Sequence, residues 1–335
     1  MNVLLTGASG YLGEHVARAL RAAGHTVVAL VRRPGQAAEL EAMGIEARPG
    51  DMERPDSWTR ALAGCEALVH CAGLVHSFGH NREAFTRVNV DGTLALVDRA
   101  RAAGMARIVV TSSLFALGPA RAGALRDESA ADEPPSPLHS ANDYVRTKAL
   151  ASAKLRAMQR EGHPVVVVYP TVLLGPGRRT RGNHTARVLA DVAAGRLPGL
   201  VGDGEQVWNL VPVADAARGH VLALERGRPG EGYILGGENW TQRQLVERAA
   251  LLFGVKPPLR RLGRAVPLAV GAMAELWARL SGKEPFLTLG EVRLYDAHWA
   301  VSCEKARVEL GYEAGDVETT LAHTVDWLRA EEERA

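Results

Sequence analysis

The sequence has almost no charge bias, no cysteine pattern and no apolar run long enough to span a bilayer. Its 335 residues carry 40 Lys and Arg against 38 Asp and Glu, a formal charge of +2. That balance gives no electrostatic case for nucleic acid. The basic residues are mostly arginine and are spread along the chain. Three cysteines, Cys65, Cys71 and Cys303, show no metal-ligand spacing, so no metal site is expected. A sparse, odd count suits a reducing compartment. Cys65 and Cys71 flank an apolar run and read as small buried hydrophobes. Without a run of spanning length, stable membrane insertion is not expected. An apolar run begins at residue two, so no secretory leader is expected and the cytoplasm is the expected location. There is no internal repeat and no low-complexity tract.

What is present starts with Asn2-Val3-Leu4-Leu5, followed at once by Thr6-Gly7-Ala8-Ser9-Gly10-Tyr11-Leu12-Gly13 and then by a helical pattern from Glu14 to Ala23. Strand, glycine turn and helix form the context in which three spaced glycines hold a dinucleotide. Gly7 permits the tight turn, Gly10 lets a pyrophosphate approach the backbone, and Gly13 lets helix and strand pack closely. The helix start offers free N–H groups and a positive dipole end.

The rest of the first half repeats strand and helix. Thr26 to Val31 is a second strand, completing a βαβ unit. An acid at its end would select NAD by bonding the ribose hydroxyls. The end instead reads Leu30-Val31-Arg32-Arg33-Pro34, and two guanidiniums suit a 2′-phosphate. The expected cofactor is NADP, with NAD as the alternative. Asp51, after a short strand, is placed to accept from an adenine amino group or to cap a helix. Ala67 to Gly73 is a fourth strand and its exit, where Ala72 and Gly73 let a dinucleotide lie against backbone. His76 and His80 have the spacing of a metal pair, but Gly79 and the loop setting make them solvated loop histidines. Phe85 to Ala103 reads as one long helix and Arg107 to Ser113 as a fifth strand with hydroxyls at its carboxyl end. Gly118 to Ser140 reads as a covering loop. Asn142 to about Arg160 is a helix, and Val165 to Pro170 is a strand buried on both faces.

The expected class is α/β: a Rossmann-type, doubly wound parallel sheet with a smaller, discontinuous α+β substrate domain. Residues 1–170 are expected to hold the dinucleotide, with elements of about 209–236 returning to the sheet. Residues 171–335 form mainly the substrate domain. Thr185 to Ala194, Thr241 to Phe253, Arg264 to Leu280 and Ser302 to Leu310 read as helices. The stretch Val266 to Leu280 is apolar and contains Trp277; its charges, Glu275 and Arg279, are not a basic face, so a core or lid helix is expected.

Tyr144 and Lys148, four positions apart on one helix, share a face. A carbonyl held between Ser113 and Tyr144 can accept hydride at carbon while Tyr144 supplies a proton to oxygen. A phenol with a pKa of roughly 10 needs lowering by about three units for that exchange near neutrality. A lysine ammonium nearby and an oxidised nicotinamide would both favour tyrosinate.

On these residues the chain resembles an extended short-chain dehydrogenase/reductase, the NAD-dependent epimerase/dehydratase family, over nearly its whole length. The matching positions run from Thr6-Gly7-x-x-Gly10-x-x-Gly13 through Asp51, Ala72-Gly73, Asn89, Ser113 and Tyr144-x-x-x-Lys148 to Tyr169-Pro170-Thr171, Gly202-Asp203-Gly204 and Val213-Ala214-Asp215. Within the family it is most similar to the dihydroflavonol-reductase-like branch and to hopanoid-associated sugar epimerases. The resemblance implies Ser113, Tyr144 and Lys148 as the catalytic trio, with Ser113 preferred over Ser112 for its spacing to Gly118. It implies Ser9, Tyr11, Leu12, Met52, Thr111, Tyr169 and Pro170 as further cofactor contacts, Asn89 as a supporting one, and Thr171 and Val172 near the carboxamide. His76, Leu114, Phe115 and Trp208 are expected on the substrate side with Ser113 and Tyr144. A homodimer through the helix of about residues 89–103 and the Tyr144 helix is also implied.

Two departures narrow the reaction. Sugar-nucleotide dehydratases place acids directly after the strand-five hydroxyl, where this chain has Leu114 and Phe115, so dehydration is disfavoured. Sugar-nucleotide enzymes tend to carry a diphosphate-clamping arginine after the G-D-G turn, where this chain aligns Trp208. An aromatic there suits a flatter or more apolar ligand, although Arg178, Arg179, Arg181 or Arg187 are available to compensate. The expected function is hydride transfer between NADP(H) and a ketone, aldehyde or secondary alcohol. The alternatives are a sugar-nucleotide epimerase with tightly bound NAD and a non-catalytic dinucleotide-binding regulator.

Overall fold

Continuous β-branched and aliphatic runs in the first half become strands that are covered on both faces. A computed structural model of the chain describes residues 1–75, 81–180, 182–258, 260–283, 285 and 287–334. In chain order the first half holds β1 (Asn2–Thr6), α1 (Tyr11–Ala22), β2 (Thr26–Val31), α2 (Pro34–Ala42), β3 (Glu46–Pro49), β4 (Ala67–His70), α3 (Arg82–Thr86), α4 (Thr93–Ala102), β5 (Arg107–Thr111), α5 (Asp143–Arg160) and β6 (Val165–Pro170). The second half adds β7 (Val172–Leu174), α6 (His184–Ala193), β8 (Leu200–Val201), β9 (Val207–Pro212), α7 (Val213–Arg226), β10 (Gly232–Leu235), β11 (Glu238–Thr241), α8 (Gln242–Phe253), β12 (Arg261–Leu262), α9 (Ala265–Ser281), α10 (Leu289–Tyr295), α11 (Glu304–Leu310) and α12 (Val317–Glu332).

Seven strands form one parallel sheet in the order β10-β6-β5-β4-β1-β2-β3. The chain winds outward in both directions from β1 and β4, so a crevice opens outside their carboxyl ends. Side chains alternate across the sheet with period two. Val3 and Leu5 pack with α1 and α7 residues such as Leu20 and Leu224. Leu4 packs on the opposite face with Trp58, Leu96 and Leu155. A third core joins Leu174 and Leu210 to Leu189, Val246 and Leu321 on α6, α8 and α12.

Four local expectations change. The helix expected from Phe85 to Ala103 is interrupted by a π-helical turn, Arg87–Gly92, between α3 and α4. Of the two strands expected to return to the main sheet, β10 pairs with β6. Strand β9 instead joins β7 and β11 in a separate sheet, because Leu210 and Val211 register with Val172 and Leu173. The helices α7 and α12 were not anticipated from the pattern; both are amphipathic, with α7 burying Val221 and Leu224 and α12 burying Leu321 and Val325. Helix α9 forms as expected, but much of its apolar surface is exposed and is not core. Among the described residues no helix is long and apolar enough to cross a membrane.

Candidate active site

The glycine turn takes the shape its spacing requires. Gly7 has φ of +78°, and a Cβ there would meet the Ala72 nitrogen at 2.7 Å. A Cβ on Gly13 would stand 1.9 Å from the Gly7 carbonyl oxygen. The close contact is therefore between the helix and the turn itself, not the strand. Gly10 precedes α1 and supplies no side-chain cap, so the first amides of that helix face the crevice unsatisfied by protein side chains.

The crevice is a cleft of about 600 Å³, ample for a dinucleotide. Gly7, Ser9, Gly10, Tyr11, Leu12, Gly13, Arg32, Arg33, Asp51, Met52, Ala72 and Gly73 line one end and its floor. Thr111, Ser113, Tyr144, Lys148, Pro170 and Thr171 line the other. Both Arg32 and Arg33 are exposed at the rim, and among the described residues no ion pair engages either. Asp51 Oδ1 accepts from the Glu53 amide at 3.1 Å; it caps that turn and does not cap a helix. Sequence reasoning missed Ser112, Gln36 and Thr180, which also line the cleft. The Ser112 and Thr171 hydroxyls are buried without a hydrogen-bond partner. Two orphan hydroxyls at the carboxyl ends of β5 and β6, with uncapped helix amides opposite, fit a bound dinucleotide.

Several expected contacts fall elsewhere. The Tyr169 phenol is hydrogen-bonded to Ser152 at 3.0 Å inside the sheet's other core. Asn89, in the π turn, is buried behind the cleft. Its amide nitrogen donates to the Leu74 carbonyl at 2.9 Å and to Thr147 Oγ1 at 3.0 Å, and its oxygen accepts from the Leu74 amide at 2.7 Å. Its role is to hold the strand-four exit. Val172 packs among apolar side chains in β7. His76 lies outside the described residues.

A buried hydroxyl–imidazole chain fixes the same exit. Thr93 Oγ1 donates to the Asn89 carbonyl at 3.0 Å, so His70 Nε2 must donate to Thr93 at 2.9 Å. His70 Nδ1 then accepts from Thr6 Oγ1 at 2.7 Å, and Thr6 accepts from the Ala72 amide at 3.1 Å. Burial pushes His70 down to about 3, with the Lys148 charge acting in the same direction.

At the reacting end, Asn142 caps α5 and so aims Tyr144 and Lys148 from the first turns of one helix. The Ser113 hydroxyl, which accepts from the Phe115 amide at 3.3 Å, lies beside the Tyr144 phenol. Desolvation holds the phenol above its ordinary value, and the Ser113 hydroxyl opposes that shift. The expected lysine effect on the phenol is not what dominates. Lys148 Nζ donates to the Thr111 carbonyl oxygen at 2.7 Å, and desolvation lowers its pKa to about 8.

Beyond Tyr144, packed against it but outside the lining of the cleft, stands an aromatic wall in which Trp299 is buried. The Phe115 ring meets Tyr144, Trp208 and Trp299 edge-on at centroid distances of 6.4, 6.3 and 4.7 Å. Trp208 stacks on Tyr295 at 5.2 Å and 14°. Leu114 is buried in the same cluster. Tyr295 and Trp299 carried no local signal; a sequence-distant stack gives none. Two of the arginines offered as substitutes are committed elsewhere. Arg178 bonds Glu14 and Glu39, both at 2.6 Å, and Arg187 lies near Glu291 at 3.5 Å and His184 at 3.0 Å. Arg179 is exposed and Arg181 lies outside the described residues.

Comparison with known proteins shows the family. A family model described as NAD dependent epimerase/dehydratase family matches residues 3–236. The chain is 30% identical over 331 residues to sterol demethylase protein B of Methylococcus capsulatus, covering 98% of each. It is 30% identical over 321 residues to 2-alkyl-3-oxoalkanoate reductase of Stenotrophomonas maltophilia, covering 93% of this chain and 94% of the relative. The crystal structure of gox2253 superposes with a TM-score of 0.82 at 33% identity and 98% coverage of both chains. The chain belongs to the NAD-dependent epimerase/dehydratase family of extended short-chain dehydrogenases/reductases and is an NAD(P)-dependent oxidoreductase.

Proposed function

We propose that the protein is an NADPH-dependent carbonyl reductase acting on an apolar, ring-bearing or long-chain ketone. The observation that carries this reading is the wall of Phe115, Trp208, Tyr295 and Trp299 beside Tyr144, with Trp208 at the position where a phosphate-binding arginine fork would serve a sugar nucleotide. The names of the two relatives support it: one acts on a sterol, the other reduces an oxoalkanoate.

In this reading Arg32 and Arg33 hold the 2′-phosphate. Ser113 and Tyr144 donate to the carbonyl oxygen, and the Tyr144 proton goes to that oxygen as carbon is reduced. NADPH supplies the hydride when bound. Lys148 holds the nicotinamide ribose, and the Ser113 hydroxyl opposes the desolvation of the phenol.

A second reading, an epimerase that retains NAD, is favoured by Arg178. Its bonds to Glu14 and Glu39 fasten the segment after β7 over the start of α1, which would slow cofactor release. The test is to denature freshly purified protein, assay the released nucleotide, and then follow NADPH loss against apolar ketones and UDP-sugars. The reductase reading expects little retained NAD and turnover of apolar ketones. Stoichiometric NAD with sugar-nucleotide turnover contradicts it.

A further inference from the structure

Helix α9 is apolar around most of its circumference, yet the protein covers one side of it. Pro267, Gly271, Ala274 and Ala278 are buried. Glu275 accepts the Leu289 amide at 2.8 Å, which locks that side onto α10. The other side presents Val266, Met273, Leu276, Trp277 and Leu280, exposed by 54, 63, 58, 64 and 76%. These positions recur at helical spacing and form one stripe. A continuous exposed stripe of this size marks a contact surface.

Cations border the stripe at both ends. Arg260 and Arg261 precede the helix, Arg279 and Lys283 close it, and all four are exposed. Among the described residues no ion pair engages Arg260, Arg279 or Lys283. The one acid in the helix, Glu275, is turned to Leu289. A second copy crossing this stripe about a two-fold axis would bring like charges together at both ends. A lipid surface meets the same pattern favourably: large apolar side chains and a tryptophan enter the headgroup boundary while the cations meet anionic headgroups.

We propose that α9 docks the protein peripherally on an anionic lipid surface. The helix lies on the bilayer and does not span it. Helix α10, fastened to α9, ends at Tyr295, which stacks on Trp208 in the aromatic wall. One element thus joins the docking surface to the substrate side. The docking itself does not depend on the substrate reading, because lipid binding needs no turnover.

The test is flotation of the protein with vesicles of phosphatidylcholine alone and of phosphatidylcholine with phosphatidylglycerol. The wild type should float with the anionic vesicles, and salt should weaken that binding. Trp277→Glu with Leu280→Glu should lower partitioning about tenfold or more. Arg260→Glu with Arg261→Glu should remove the preference for phosphatidylglycerol. Melting temperature and NADPH titration report that both variants are folded. A wild type that floats with neither vesicle overturns the proposal, as does unchanged flotation of the Trp277→Glu, Leu280→Glu variant. Absent flotation with a dimer by sedimentation velocity that this variant dissociates would assign the stripe to a second copy instead.

Discussion

Lys148 Nζ donates to the Thr111 carbonyl oxygen at 2.7 Å, tying the first turns of α5 to the carboxyl end of β5. Thr111 in turn is held from behind: His220 Nδ1 donates to the Ala216 carbonyl at 2.7 Å, so its Nε2 accepts from Thr111 Oγ1 at 3.0 Å. The ammonium is thus positioned by backbone that is itself braced, at the cost of desolvating a charge.

That cost gives a pH prediction. The Lys148 pKa falls from 10.5 to about 8 on folding. Between those values the unfolded chain binds the extra proton, so stability from this group is full above the unfolded pKa and is lost as pH falls through about 8. Lys148→Met should therefore raise the unfolding free energy at neutral pH by on the order of 1 kcal/mol, after subtracting the lost bond to Thr111. The gain should shrink as pH rises above 8, towards 10.5. Urea unfolding of wild type and variant at neutral and alkaline pH checks this; a constant difference would refute it.

The arginine pair predicts cofactor choice. Arg32→Ala with Arg33→Ala should weaken NADPH binding by about 10- to 100-fold, since charge-assisted bonds to a phosphate are worth roughly 1.5–3 kcal/mol. NADH binding should hardly change. Paired fluorescence titrations measure it, and equal loss for both nucleotides would show that the arginines do not read the 2′-phosphate.

The aromatic wall predicts substrate class. Trp208→Arg should raise KM for apolar ketones about tenfold or more, because it breaks the stack on Tyr295 and places a charge against Phe115. Trp208→Phe should restore most of the loss. Steady-state kinetics on both variants distinguishes this from general damage, which would lower kcat and melting temperature together.

Asn89 predicts stability. Its side chain satisfies both backbone groups of Leu74 and also meets Thr147. Asn89→Leu leaves those half-buried groups without their protein partner and should cost about 1–3 kcal/mol. Chemical denaturation measures it; a change under about 0.5 kcal/mol, the usual range for a surface site, would contradict the bracing role.

What the sequence made legible was local. The Gly7, Gly10 and Gly13 turn, the β-branched run of β6 and the Tyr144–Lys148 spacing each follow from the conformational needs of a few adjacent residues. What it concealed was pairing at a distance. Strand β9 reads like a strand of the main sheet until Leu210 is seen to register with Val172. Tyr169 sits in a motif near the cleft, yet as a strand residue it faces the opposite core. Tyr295 and Trp299 join the aromatic wall beside Tyr144 through contacts with Trp208 and Phe115 made across more than eighty residues. The apolar composition of α9 suggested burial, but exposure depends on what packs beside it, and composition does not state that.

The most direct test of the central claim is the initial rate of NADPH-dependent reduction of an apolar ketone by wild type and Tyr144→Phe, each checked for NADPH affinity. The predicted result is a fall in kcat of about 10²- to 10⁴-fold with unchanged NADPH binding. Turnover by Tyr144→Phe at the wild-type rate would contradict it.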